Sequence, residues 1–365
     1  MSSETTAIIV QEPERFKILT TGDYYTYDTT SYEEIDITEQ KLTNAIIDTT
    51  ISEKPEVYFL TGHGEYDIST ELQGLAAYLE NDVNGVQSLN LLQTEIPENC
   101  SVLVIGTPQK DFEEYEANKI IEYVHKGGKI LWMNDSSITE VNYPNIQKIL
   151  DEYGVGFNKG IVFETSNDKM ILQQPQLVIP NTSYHAITKD IYQSLGTVML
   201  MPGKLEVASD EKLEELGVTI TPFLTTSETS CYREEYSSLA GYTKTATDEQ
   251  GSYIVGAELS KKIDDNTESK LIVYTNNIFA SNNTITIGEQ KTTLLGVYDN
   301  KDLVLNTIAY LTDREDTIRI RKDTGAVFYT ATESQDIIVR SIIFIVPALI
   351  VLAGIIVWQV RRRKK

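Results

Sequence analysis

Gly62-His63-Gly64-Glu65 is the segment of this 365-residue sequence whose residue types and spacing come nearest to a reactive site. A histidine can serve as general base or hydrogen-bond donor, a carboxylate two residues on can orient it, and flanking glycines let a ligand approach the backbone closely. The same four residues can also form a plain turn in which Glu65 holds His63 and His63 fixes the loop. Motifs this short match by chance often. Gly62, His63, Gly64 and Glu65 are therefore read as a candidate ligand-binding turn, and no catalytic residue is assigned.

Other routes to chemistry lack their parts. Hydrolases and amidotransferases built on α/β sheets place a nucleophile at a sharp strand-to-helix elbow, exposed and beside a base. No GxSxG string occurs, and Cys100 precedes its predicted strand, which puts it at the wrong edge of a sheet. GxxxxGK[ST] is absent, so the chain has no phosphate loop of its own. The three histidines, His63, His125 and His185, have no i, i+4 partner, and the two cysteines, Cys100 and Cys231, form neither a CxxC pair nor a disulfide framework. Two buried thiols in packed strands are expected. The acidic run Asp111-Phe112-Glu113-Glu114 reads as the start of a helix, where carboxylates complement exposed amides, and His125 reads as a dipole partner in that helix's last turn. Neither a metal nor a cofactor is expected.

The elements that position the candidate turn alternate between strand and helix. Val57-Tyr58-Phe59-Leu60 is a short apolar run of the kind that forms a buried strand, and it leads directly into the turn. Leu72, Leu75, Ala76 and Leu79 then fall on one helical stripe, with Thr70 and Gln73 spaced as a capping box. Ser101 to Ile105 predicts a second strand. A helix from about Glu113 to Lys126 follows, with Ile120, Ile121 and Val124 facing inward and Gly127-Gly128 as its left-handed stop. Lys129 to Met133 is a third strand. Such alternation predicts a doubly wound, mostly parallel α/β sheet over residues 53–160 with helices on both faces. Residues 1–52 hold short strands near Ala7 to Val10 and Phe16 to Leu19, then a helix from Ile37 to Asp48 capped by Asp36 and Glu39. Residues 161–335 form a mixed α/β continuation. Its strands are expected at Ile161 to Phe163, Leu177 to Ile179, Ser252 to Ala257 and Lys270 to Thr275, with a helix near Leu303 to Leu311. Asp210 to Leu216 and Lys261 to Glu268 read as surface loops or short helices.

Ser341 to Val360 is twenty residues without a charge. At about 1.5 Å per residue that length spans the roughly 30 Å hydrocarbon core, so residues 341–360 are predicted to be a transmembrane helix. Residues 361–365, Arg361-Arg362-Arg363-Lys364-Lys365, then set its orientation, with the tail in the cytoplasm and the bulk of the chain outside. With five of the 31 cationic side chains in that tail and all 54 acidic ones before it, residues 1–340 carry a net charge of −28. A field of that sign disfavours nucleic acid and anionic lipid headgroups as ligands. The first thirty residues contain no apolar stretch that could direct export, so the sequence is expected to be the C-terminal part of a longer protein.

Several strings together resemble a known family. They are Val57 to Glu65, Ile96-Pro97-Glu98 leading to Val102-Leu103-Val104-Ile105, Tyr123 to Leu131, and Pro222-Phe223-Leu224-Thr225-Thr226-Ser227. To these are added Val346-Pro347-Ala348-Leu349, Gly354 to Trp358, and the arginines after it. In this order they resemble GldG-type auxiliary proteins of ABC transporters. The resemblance implies a noncatalytic accessory subunit in the bacterial cytoplasmic membrane, partnered with an ABC permease and ATPase and linked in gliding bacteria to surface motility. It also implies an outer α/β part of amidotransferase-like or flavodoxin-like fold, similar to intraflagellar-transport domains, that binds cargo or an envelope partner. Close helix packing in lipid would involve the face of Ala348 and Gly354. From the residues alone, a membrane-tethered hydrolase using His63 and Glu65 and a structural envelope protein are the alternatives.

Overall fold

A computed structural model gives the architecture. It describes residues 7–314 apart from 14, 28–33, 51–53, 83, 138–141, 193, 195, 235, 237–241 and 288–289, together with 338, 340–345, 347, 358 and 362. The centre is an eight-stranded sheet. Its strands in chain order are β1 (Glu56–Leu60), β2 (Gly85–Leu89), β3 (Cys100–Gly106), β4 (Lys129–Met133), β5 (Asn181–Thr182), β6 (Val218–Thr225), β7 (Ile254–Lys262) and β8 (Glu268–Tyr274). Across the sheet they lie in the order β5-β6-β7-β8-β4-β3-β1-β2.

Residues of alternate parity in the strands face opposite sides, and both sides are buried. Val57, Phe59, Val102, Val104, Leu131, Met133, Ile272 and Tyr274 share one core with the helices Gln73–Asn81 and Asn300–Leu311. Leu60, Leu103, Ile105, Ile130, Trp132, Leu271 and Val273 share the other with Glu114–His125 and Pro144–Asp151. In chain order these helices are α1 (Gln73–Asn81), α2 (Glu114–His125), α3 (Pro144–Asp151) and α4 (Asn300–Leu311). Burial on both faces explains why the central strands read as continuous apolar runs. At roughly 1.5–3 kcal/mol for each large apolar side chain removed from water, these two layers are the main source of stability.

The strands of residues 53–160 are all parallel, as expected there, but they do not form a sheet of their own: the mixed continuation adds antiparallel strands to the same sheet. β2, β1, β3, β4 and β8 run parallel, whereas β8, β7, β6 and β5 are paired antiparallel. The cause is a tight connection: Lys262 to Thr267 closes a hairpin between β7 and β8, and a short link can only join antiparallel neighbours. The sheet therefore draws strands from both sides of residue 160.

The capping box expected at Thr70 and Gln73 is not formed. α1 starts at Gln73 without a side-chain cap from its own sequence. Instead Asn282, far along the chain, accepts the Gly74 N–H at 3.2 Å and donates to the Thr70 carbonyl. A Cβ on Gly74 would lie 2.5 Å from the Asn282 amide oxygen, so glycine permits this docking. α2 stops as expected. Gly128 N–H bonds to Tyr123 O and Gly127 N–H to Val124 O, with Gly127 at φ +84°, which is a Schellman closure. The Asp210–Leu216 segment is a helix capped by Ser209 and Gly217.

The N-terminal helix spans Thr38–Thr50, with Asp36 accepting the Thr38 N–H, and it covers an antiparallel hairpin of Ala7–Gln11 and Phe16–Thr20. Among the described residues no helix is long and apolar enough to cross a membrane. Most of Ser341–Val360, including Ala348 and Gly354, lies outside the described residues, as do Arg361, Arg363, Lys364 and Lys365. Ser341–Ile345, Pro347, Trp358 and Arg362 are described and helical.

Candidate functional site

The Gly62-His63-Gly64-Glu65 turn lies at the carboxyl end of β1, where the chain leaves for β2 on one side and returns to β3 on the other. This is the topological switch point at which open α/β sheets commonly hold ligands. Here Gly62 and Gly64 are exposed, while His63 between them is buried. Gln109, just past β3, donates its backbone N–H to His63 O at 2.8 Å, and its side-chain amide donates to Thr107 O. Its Cβ lies 3.0 Å from where a Cβ on Gly64 would stand. Gly64 has φ +83° and Gly62 φ +125°, so both glycines serve the fold of the turn.

His63 is buried, with 8% of its side chain exposed. Its Nε2 lies 3.1 Å from Glu116 Oε2, so that nitrogen carries the proton and donates. Its ring meets Phe112 edge-on, with centroids 5.0 Å apart. Glu65 is oriented by the backbone rather than by the imidazole: Oε2 accepts the His63 N–H at 2.7 Å, while Oε1 stays 3.7 Å from Nδ1, too far for a hydrogen bond. Nδ1 and Oε1 face one another with no hydrogen-bond partner. Both ring nitrogens of His63 thus face buried carboxylates, and the arrangement locks a loop.

Glu116 is the residue that sequence reasoning missed here. It is buried in the first turn of α2, where its carboxylate accepts the Glu113 N–H at 2.9 Å and completes a capping box. Glu113 at the N-cap and Glu114 in the first turn bear out the expectation of acidic residues at a helix start. Asp111 instead caps the next helix, accepting the N–H groups of Asn145 and Ile146 at the start of α3.

Thr107 stands at the elbow after β3 with φ +51°, a strained conformation for a β-branched residue. Its hydroxyl accepts the Asp135 N–H at 2.9 Å and lies 3.3 Å from Met133 O, so it faces β4. Asp135 gathers the N–H groups of Asn277 and Ile278 and the Asn276 amide, which ties the ends of β4 and β8 together. Burial pushes the Asp135 carboxyl up against these bonds.

A second polar centre lies across β7 and β8. His185 Nε2 is 2.7 Å from Glu258 Oε2, and His185 Nδ1 accepts the Ile187 N–H. Tyr310 on α4 donates to Glu258 Oε1 at 2.7 Å, and Lys270 donates to the Tyr310 hydroxyl. Burial pushes Glu258 up, but the bonds from His185 and Tyr310 and the charge of Lys270 outweigh it and hold the carboxyl at about 2. His125 pairs with Glu152 at 2.9 Å on the surface. Cys100 opens β3 at the opposite edge of the sheet from His63, Cys231 is buried, and both are free thiols. Among the described residues no group of three or more His, Cys, Asp or Glu is placed to hold a metal ion.

Residues 54–307, which run from just before β1 into α4, match the family model described as "ABC-type uncharacterized transport system". The chain belongs to this family. Its members are auxiliary components of ABC-type transport systems. Solved structures similar to this member include the mmIFT52 N-terminal domain, at 18% identity and TM-score 0.48, with 70% of this chain and 97% of that one covered. ThuA-like proteins from Parabacteroides merdae and Bacteroides uniformis are similar at 11% identity each. Their TM-scores are 0.41 and 0.36, with 75% and 76% of this chain and 100% and 96% of theirs covered. No curated protein matches the sequence.

Proposed function

We propose that the chain is a noncatalytic, membrane-anchored subunit of a bacterial ABC transporter, of the GldG type. Its acidic α/β part faces outward to bind cargo or an envelope partner, and its C-terminal helix docks against the permease. The observation that carries the noncatalytic part is the burial of the His63 imidazole, which is enclosed by Glu65, Glu116 and Phe112. A hydrolase using His63 and Glu65 would need that imidazole to reach a substrate.

Anchoring is supported by the uncharged run Ser341–Val360 and by what is described within it. Ile342, Ile343, Phe344 and Ile345 are helical and each more than half exposed to solvent, a surface that calls for an apolar environment. The Arg362 guanidinium lies 5.2 Å from the Trp358 ring, an aromatic and cation pairing suited to the headgroup layer.

The test is affinity purification of the full chain from its own membrane in mild detergent, with mass spectrometry of what stays bound. An ABC ATPase and permease should be recovered, and both should be lost when residues 341–365 are deleted. Recovery of neither from the intact chain would sink the accessory-subunit assignment.

A further inference from the structure

Tyr184 and Tyr192 form an aromatic corner on the surface. Their rings stand 6.0 Å apart at 88°, with Tyr184 72% exposed and Tyr192 42% exposed. With Lys189, Asp190 and Ser194 they line an open hollow of about 410 Å³. Two large rings left in water, edge to face, give up the burial that usually accompanies such a pair.

Described residues around the two tyrosines are tied to the body of the protein. Ile187 and Ile191 are buried in the core beneath it. Asn306 on α4 donates to Ile187 O at 3.1 Å, Thr188 donates to Ser183 O at 2.6 Å, and His185 is fixed on Glu258. Ser194 and the Gly196 N–H both bond to Asp299, which closes the far end. A surface ordered before binding loses little further entropy on contact, and tyrosine brings a broad rigid face with few rotatable bonds.

The geometry points to the ring of a neutral saccharide as the ligand class, and we propose the Tyr184–Tyr192 corner as a carbohydrate-binding site. Perpendicular rings make a corner, whereas a planar heterocycle is best held in a slot between parallel faces. A pyranose presents a C–H face to one ring and equatorial hydroxyls to the side, where the Asp190 carboxylate can accept. One charge of each sign at the rim selects neither an anion nor a cation, and the acidic field of the whole chain further disfavours anions. The inference deepens the proposed outward-facing binding role by naming a ligand class, and it rests on that reading only for the source of the sugar.

Saturation-transfer NMR on the full chain, solubilised in a detergent without a sugar headgroup, tests this with chitotriose, cellotriose, maltotriose and adenosine as probes. At least one trisaccharide should bind. Tyr184→Ala and Tyr192→Ala should each weaken that binding tenfold or more, Tyr184→Phe should keep it within about threefold, and thermal melting should be unchanged in all three. Binding of no trisaccharide, binding of adenosine alone, or trisaccharide binding indifferent to both alanine variants would overturn the proposal. The measurement needs no transporter, so its failure is separate from failure to recover an ATPase and permease.

Discussion

The imidazole of His63 and the carboxylate of Glu116 meet at 3.1 Å inside the protein, joining the loop after β1 to the first turn of α2. Neither has an alternative partner in water, since both side chains are almost fully buried. Glu116→Ala should therefore leave His63 Nε2 and the Glu113 N–H without acceptors. A loss of about 3 kcal/mol is expected, from unsatisfied buried groups and a lost cap. Urea unfolding of purified protein checks this against Glu122→Ala, which removes a solvent-exposed carboxylate on the same helix and should leave the midpoint in place. Equal midpoints for the two variants would remove the buried pair from the account of the loop.

Acid should weaken the protein in a defined window. The folded Glu258 carboxyl sits at about 2, below its ordinary value of 4.5, so the unfolded chain takes up its proton first as pH falls. The stabilisation is complete above about pH 4.5 and is lost between there and pH 2. Asp248, held at about 2 by the Arg233 guanidinium against burial, acts in the same direction. Unfolding free energy measured in urea should drop on going from pH 6 to pH 3, and the drop should be shallower for Glu258→Gln. Superimposable pH profiles would mean that Glu258 has no such linkage.

Gly128→Ala should be among the most damaging single substitutions near the α2 stop. The new methyl would lie 2.3 Å from the Tyr123 ring and 2.5 Å from the Tyr123 carbonyl. Tyr123 cannot simply swing aside, because its hydroxyl also accepts the Lys129 N–H where β4 begins. Overpacking against a fixed group costs about 1–3 kcal/mol, and a melting temperature lower by several degrees is expected in calorimetry. An unchanged melting temperature would show that α2 and β4 can separate freely at this point.

Thiol reactivity offers a check on burial. Burial pushes the Cys100 thiol to about 11 and also raises Cys231. Thiolate is the reactive form, so an aromatic disulfide reagent near neutral pH should react with the native protein only slowly. It should titrate two thiols per chain once denaturant is added. A rapid native-state equivalent would place one of them at an accessible surface.

Much of the fold was legible because its central strands are buried on both faces. Val57 to Leu60, Ser101 to Ile105 and Lys129 to Met133 read as apolar runs and form β1, β3 and β4. β6 was not legible: Val218-Thr219-Ile220-Thr221 alternates, and Pro222 interrupts a pattern that otherwise suits a strand. β2 was hidden by Gly85, Gln87 and Ser88 on an edge with half-exposed residues. The mixed sheet could not be read locally, since the side of β4 on which β8 docks depends on contacts between segments far apart in the chain. At the candidate turn the sequence showed His63 and Glu65 but not Glu116. Its one signal was a carboxylate set on the same helical stripe as Ala117, Ile120 and Val124, four residues before Ile120 where an apolar side chain would be expected.

The parallel pairing of β4 with β8 has a bearing on how the chain is made. Trp132 lies beside Val273 in the finished sheet, yet a ribosome completes β4 long before it reaches β8. Until Lys270 to Tyr274 emerge, the nascent chain has an open, strongly apolar strand edge in the middle of what will become its sheet, the kind of template that pairs with other chains. A fragment ending before Glu268 would keep that edge permanently. The strand Glu268–Tyr274 thus acts as a built-in guard for an edge made much earlier in the chain.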